Sequence, residues 1–405
     1  MHAHSLTAQD LRIGKSSAWR RAPVVCGLVT LGALGTWSAQ LAHEPGRALH
    51  AYLFGFVTVL SVALGCLAFV LLQHLTRAGW SVVVRRVAEI GMMSLPVLAV
   101  LFIPIALWQG ELFPWTHPGD DQILQGKTPY LNTPFFSLRS VCYLAAWTFI
   151  ALWFYRLSAR QDDGQHPHDS LRMRCWSAPA TAIFALSITF ASFDWLMSLQ
   201  PHWYSTIFGV LFFAGCVIMG VSFIILLCLM LQASGYLPCV NTEHYHDLGK
   251  LLFAFTIFWA YIAFSQFMLI WYAAIPEEAA FYYHRLRHGW AGVTWAMPVT
   301  HFLLPFFVLL SCHAKRNRFV LACAALWTLA MQALHTLWLV LPPLAEHAAA
   351  TGHATAHALP NWLDAVALIG VAGACATMVT FLLTRKNLVA AGDPLLHESL
   401  AFENA

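Results

Sequence analysis

Charge is what this sequence has least of. Only 10% of its 405 residues are Asp, Glu, Lys or Arg, against roughly 25% in a water-soluble domain. The chain therefore lacks the polar side chains needed to cover a soluble surface. Its net charge of +3 is small and dispersed, which excludes a basic nucleic-acid-binding face. The first twenty residues are polar and the first apolar run has no small-residue cleavage pattern, so no signal peptide is expected. Ten cysteines are present, yet no two stand as C-x-x-C and there is no C-x-x-C-H. Covalent c-type haem and cysteine-ligated iron–sulfur clusters are accordingly not expected in this chain. Most of the cysteines fall inside apolar runs, where a thiol packs as a small apolar group.

What the sequence has in quantity is apolar length. Hydrophobic residues make up 59% of the chain and aromatics 14%, with 17 Trp and 28 Phe. Crossing a hydrocarbon core of about 30 Å takes roughly 20 apolar residues at 1.5 Å per residue. Stretches of that kind lie near 22–42, 49–75, 82–108, 135–158, 173–198, 204–234, 246–273, 288–313, 317–342 and 361–385. The expected fold class is an all-α integral membrane protein of about ten transmembrane helices. Lys and Arg set its orientation. Of the 22, only Arg47, Lys127, Arg139, Arg285 and Arg287 fall on the side opposite the N-terminus, and 17 fall on the N-terminal side. That asymmetry alternates correctly through all nine connections and predicts cytoplasmic N- and C-termini.

The connections are short. Residues 1–21 and 386–405 read as cytoplasmic tails, and 109–134 as a partly ordered cap on the outer face. A polar cytoplasmic linker at 159–171 divides a first membrane half, 22–158, from a second, 172–385. Pro96 and Pro104 in helix three, and Pro298 and Pro305 in helix eight, are expected to kink their helices and open polar space. Gly209, Gly215 and Gly220 in helix six are expected to permit close helix packing.

An ionisable side chain at the bilayer centre costs about 2.5–3.5 kcal/mol on insertion scales, so each one is a candidate functional residue. The candidates fall in three layers. Glu89, His246, Asp247 and Lys250 lie near the cytoplasmic side. Tyr261, Ser265, Gln266, His301, Thr328 and Gln332 lie near the middle. Arg139, Asp194, His202, His335, Glu277 and Glu278 lie toward the outer side. Steps of three and four run one face of helix seven through Asp247, Lys250, Ala254, Phe258, Tyr261, Ser265, Met268 and Tyr272. The same spacing aligns Thr328, Gln332 and His335 on helix nine. Were those two faces opposed, they would form part of a proton path. The alternative is that these groups make ordinary interhelical contacts, worth about 0.6 kcal/mol each on average. His301 and His335 leave three readings open: a hydrogen-bonded structural pair, a proton relay, or ligands of a b-type haem.

One series of motifs is more specific than spacing. It begins with Phe193-Asp194-Trp195-Leu196-Met197-Ser198-Leu199-Gln200-Pro201-His202-Trp203-Tyr204-Ser205-Thr206. It continues with His246-Asp247-Leu248-Gly249-Lys250 and Phe258-Trp259-Ala260-Tyr261-Ile262-Ala263-Phe264-Ser265-Gln266. It closes with Ile270-Trp271-Tyr272 and Ile275-Pro276-Glu277-Glu278. The series spans roughly 175–305 and resembles the ActF family of alternative complex III, a bacterial quinol:electron-acceptor oxidoreductase. The preceding 170 residues match that family in hydropathy and helix count only.

The resemblance implies an NrfD- and polysulfide-reductase-type membrane subunit, with two four-helix bundles, helices two to five and six to nine, and flanking helices. It implies residence in the bacterial inner membrane beside an ActC-like membrane subunit that holds the main quinol site. Further implied partners are an iron–sulfur subunit, multihaem and monohaem cytochrome c subunits, and a terminal oxidase. Haem c and iron–sulfur clusters would belong to those partners, with menaquinone or ubiquinone nearby and no redox centre or metal in this chain. The role implied is structural, with a proton-conducting path. The motif residues that carry over are Asp194, His202, His246, Asp247, Lys250, Tyr261, Ser265, Glu277 and Glu278.

Two readings from other classes compete with it. In one the chain itself binds quinone, with Asp194 and His202 as proton acceptors beside Trp203 and Tyr204. In the other it is a secondary transporter, as ten helices broken by Pro and Gly would allow.

Overall fold

A computed structural model of the chain describes residues 6, 11–162, 166, 168–287, 289–350 and 359–403, without the side chains of 346–350. Among these residues there is helix and no strand. Ten helices are long and apolar enough to cross a membrane, as the sequence predicts: α1 (Ala18–Leu41), α2 (Pro45–Leu75), α3 (Gly79–Leu107), α4 (Thr133–Gln161), α5 (Asp169–Leu199), α6 (Phe208–Ala233), α7 (Thr242–Ala273), α8 (Ala291–Leu310), α9 (Arg318–Ala345) and α10 (Trp362–Arg385). The chain is thus an all-α, multi-pass membrane protein.

The helices pack as two rings of four. In the first, α2 packs on α3, α3 on α4, α4 on α5 and α5 back on α2; in the second, α6, α7, α8 and α9 close in the same way. The rings meet where α6 lies along α2, and α10 seats α1 against the outside of α2. The central crossing of α2 and α6 depends on glycine. Gly65 and Gly220 face each other across it, and a Cβ on either would overlap the backbone of the other helix. Small residues allow such approach, and in lipid, where burial of apolar surface gives no advantage, close packing is what holds helices together. Gly209 lies against Thr189 and Gly215 against Gln332, so all three predicted packing glycines of α6 are used in that way.

The first and last described segments of the chain lie on one face, here called the terminal face. The Leu388 amide donates to the Leu11 carbonyl at 2.9 Å, the Arg12 guanidinium to Asn387 at 2.9 Å, and the Asn241 amide to the Phe402 carbonyl at 3.0 Å. On the opposite face, residues 109–132 form a cap that includes a short helix, Gln122–Lys127, started by Asp121, whose carboxylate accepts from the amides of Ile123 and Leu124. A second surface helix, Pro276–His284, follows α7.

Proline shapes two spans. The α-helical ladder of α3 is interrupted after Met92 and at Phe102, and regular helix resumes with Pro96 and Pro104 in the first turns of the new segments. In α8, Pro298 opens a π-helical segment, Pro298–Leu303, before α-helix resumes at Leu304. Such bulges often mark functional sites, and this one carries His301.

Candidate functional site

The second ring encloses a set of buried polar side chains carried mainly by α9. Thr328, Gln332, His335 and Thr336 are buried on one face of that helix, as steps of three and four require. Gln332 has room because Gly215 of α6 has no side chain, and a Cβ there would collide with the amide. His301 of the π segment points at the same amide. Its Nε2 donates to Gln332 Oε1 at 2.8 Å, since a carbonyl oxygen can only accept. Gln332 Nε2 in turn lies 3.4 Å from His335 Nδ1. The His301 ring stacks on Trp259 of α7 at 3.8 Å, and His335 stacks on Trp338 at 5.8 Å. His301 Nδ1 is buried with no hydrogen-bond partner among the described residues. A proton-carrying water at that nitrogen would satisfy it.

Above this set, toward the opposite face, Arg285 forms a roof. Its Nη1 donates to Gln200 Oε1 and to the Phe281 carbonyl, each at 2.8 Å, and its Nε donates to the Trp338 carbonyl at 3.2 Å. Ser205 donates to Gln266 Oε1 at 3.1 Å beside it. Below, Thr328 meets Ser222 of α6 at 3.0 Å. The next polar layer is the Tyr245 hydroxyl donating to Gln232 Oε1 at 2.9 Å, near the terminal face. Ten residues of α6 separate Ser222 from Gln232, roughly 15 Å of helix, and the side chains facing that interval include Cys228, Leu231, Leu248, Leu252 and Leu321, all buried. The buried polar groups therefore lie between the opposite face and mid-depth, with an apolar interval below them. The two imidazoles, whose ring centres are 6.1 Å apart, have Gln332 bonded between them and Trp259 against both rings, at 3.8 and 5.1 Å. A haem plane would need that occupied space, so this geometry does not suit bis-histidine ligation.

The helix-seven face drawn from the sequence requires correction. Tyr261 is 64% and Tyr272 83% exposed, and Met268 and Phe264 also face outward. Ser265 lies at the edge of that same outward face. The buried face of α7 is instead Tyr245, Leu248, Leu252, Thr256, Trp259, Ile262 and Gln266. Tyr261 and Ser265 thus stand outside the buried polar set, whereas Gln266 joins it.

The strongest ionic candidates are locked in ion pairs. Asp194 of α5 is fully buried and receives Arg139 of α4 bidentately, at 2.8 Å on both oxygens, plus the Tyr143 hydroxyl at 2.9 Å. Arg139 also stacks 3.8 Å from the Tyr130 ring. Burial, and the Asp194 charge, push the Tyr130 phenol up to about 12. Glu89 is also fully buried, held by Arg85 at 3.3 Å, Arg86 at 3.4 Å and the Ser158 hydroxyl at 2.7 Å. Arg86 reaches Asp162 at 2.7 Å, and Arg85 pairs with Asp393 of the C-terminal tail. Burial raises the Asp162 carboxyl despite Arg86 beside it. The lone pairs of Glu89 and Asp194 are thus taken by guanidinium and hydroxyl donors within the first ring.

The remaining candidates sit at the two surfaces. On the terminal face Lys250 pairs with Asp247, Arg316 with Glu243 at 3.0 Å, and His246 Nδ1 lies 3.8 Å from Glu243. On the opposite face His202 meets Asp121 at 2.6 Å. The amide of Leu124 above all, with His202, holds the Asp121 carboxyl below the usual carboxylate range. Glu277 and Glu278 occupy the first turn of the helix Pro276–His284, where the helix dipole favours them. Trp203 and Tyr204 line an apolar cleft of about 400 Å³ beneath the cap, with Tyr130, Phe193 and Met197. Asp194 and His202 do not line it.

Sequence reasoning missed the buried pair Arg47–Asp364, 2.8 and 2.6 Å, which joins α2 to α10. It also missed Asp393. Arg47 and Arg285 read as loop charges, but both are buried. One signal was available: Asn361 and Asp364 have the spacing of a capping box, which the structure contains. No protein-family model matches this chain, and no curated protein matches it.

Proposed function

We propose that this chain is a cofactor-free integral membrane subunit of a quinol-oxidising respiratory complex of the alternative complex III kind. In this reading it is the structural partner of an ActC-like quinol-oxidising subunit, in the bacterial inner membrane, and carries a proton half-channel. Iron–sulfur and cytochrome c subunits would take the electrons. The observation that carries the reading is the buried thread His301–Gln332–His335, enclosed by α6 to α9, of which α7 bears the motif residues from His246 to Gln266. A neutral imidazole holds one N–H and one lone pair, so it can take a proton on one nitrogen and release one from the other. The free Nδ1 of His301 leaves that capacity open at mid-depth.

The test is quinol-driven proton movement by the assembled complex in proteoliposomes. Gln332→Leu should leave subunit composition and electron transfer in place and lower the protons moved per electron. Unchanged proton stoichiometry in a well-assembled Gln332→Leu complex would reduce the chain to a scaffold.

A second reading, direct quinone binding, has one observation in its favour: the apolar cleft under the cap, lined by Trp203, whose buried indole N–H has no hydrogen-bond partner among the described residues. A photoaffinity quinone should then label Tyr204 or Met197. Label confined to the partner membrane subunit removes this reading.

A further inference from the structure

A cleft of about 250 Å³ opens on the terminal face, between the end of α2, the start of α5 and the C-terminal tail. Arg77, Arg85 and Arg174 line it with His74, Gln73 and Ser170. Its one carboxylate, Asp393, is paired with Arg85, and Arg85 is shared with Glu89. Arg77 and Arg174 are both exposed at the rim. At the base, His74 is 6% and Gln73 4% exposed, and His74 Nε2 and Gln73 Oε1 have no hydrogen-bond partner among the described residues. A buried polar atom without a partner is unfavourable; Gln73 Oε1 can only accept and His74 Nε2 accepts or donates with its tautomer, so a headgroup hydroxyl seated beside a phosphate in this basic cleft would satisfy both.

The backbone adds a second observation. Arg77 ends α2 in the left-handed region at φ 52°. Its amide bonds back to the His74 carbonyl, and the next amide, of Ala78, bonds to the Gln73 carbonyl at 3.0 Å. That is the helix stop normally made by glycine, so an arginine here adopts a conformation that a side chain disfavours.

We propose that this cleft binds the phosphate headgroup of an anionic membrane lipid. Guanidinium forks suit phosphate oxygens, and basic recesses between helices at a cytoplasmic surface are suited to such headgroups. Acyl chains have somewhere to go. Leu171, which lines the cleft, is 57% exposed, and Leu72 and Leu75, on the same turn of α2 as His74, also face outward. A headgroup seated here would clamp the C-terminal tail, through Asp393 to Leu395, against α2 and α5.

The experiment uses the purified full-length chain, or the complex that contains it, delipidated and then supplied separately with phosphatidylglycerol, phosphatidylcholine or inorganic phosphate. Native mass spectrometry counts retained lipid and thermal denaturation reads stabilisation. The wild type should retain phosphatidylglycerol preferentially and melt higher with it. R174A and R77G, alone and combined, should weaken that retention, the pair by on the order of tenfold or more. R77G also relieves the left-handed backbone, so it should melt no lower than wild type without lipid while losing the lipid response. Equal retention by wild type and the double variant would overturn the site. Stabilisation by inorganic phosphate matching that by phosphatidylglycerol would overturn the lipid assignment and leave a free phosphate ion as the occupant.

Discussion

Replacing Asp194 with asparagine separates a structural carboxylate from a reactive one. In the wild type its two oxygens take three donors, two from Arg139 and one from Tyr143. Asparagine keeps the shape but removes the negative charge and turns one oxygen into a donor facing a guanidinium. Arg139 is then a buried, uncompensated cation, and breaking a buried pair in this way costs about 3–5 kcal/mol. Removing both charges, as in R139M/D194L, leaves no stranded ion. What remains is the Tyr143 hydroxyl without its acceptor, a cost of about 1–3 kcal/mol. The expected order of thermal midpoints in detergent, read by fluorescence-detected size exclusion, is wild type, then R139M/D194L, then D194N. A double variant as unstable as D194N would refute the ion-pair account. A D194N protein of wild-type stability but without quinol turnover would do so more severely, because it would make Asp194 a group that touches substrate.

Three further outcomes follow from the same geometry. Gly65→Ala places a methyl against the Cys216 carbonyl across the α2–α6 crossing; overpacking of this kind costs about 1–3 kcal/mol or more, seen as a lower yield of monodisperse protein. Asp393→Asn removes the tail's pairing with Arg85, so limited proteolysis should cut the 388–403 segment faster while the ten helices stay intact. Asp121 has a lowered carboxyl pKa, so its contribution is present above the unfolded value near 3.9 and is lost only as pH falls through the lower folded value. Hydrogen exchange in 122–131 should therefore not change through Asp121 between pH 5 and 8 (a range set about that reference value), and D121N should remove any acid-side step.

The number and order of the spans were legible in the sequence because insertion into hydrocarbon depends on summed apolarity, which composition records. Which face of α7 turns inward was not. Lipid is as apolar as a leucine core, so hydrophobicity does not distinguish the outward Tyr261, Phe264 and Tyr272 from the inward Leu252 and Trp259. The packing glycines of α6 were readable because small residues are informative in lipid in a way that large apolar ones are not. His301, Gln332 and His335 could be picked out as polar at mid-depth, but their joining needed the π segment at Pro298. Partners of the buried charges were beyond spacing altogether: Arg85 finds Asp393 across more than three hundred residues, and Arg47 finds Asp364.

The central claim is membership in a quinol-oxidising complex, and subunit composition tests it most directly. Purification through a tag on this chain in mild detergent, followed by subunit mass spectrometry with haem and quinone assays, should recover multihaem and iron–sulfur subunits with a second large membrane subunit. Haem should be found on the cytochrome subunits and none on this chain. A stable, monodisperse chain with no redox partners would contradict the account and bring the transporter reading forward.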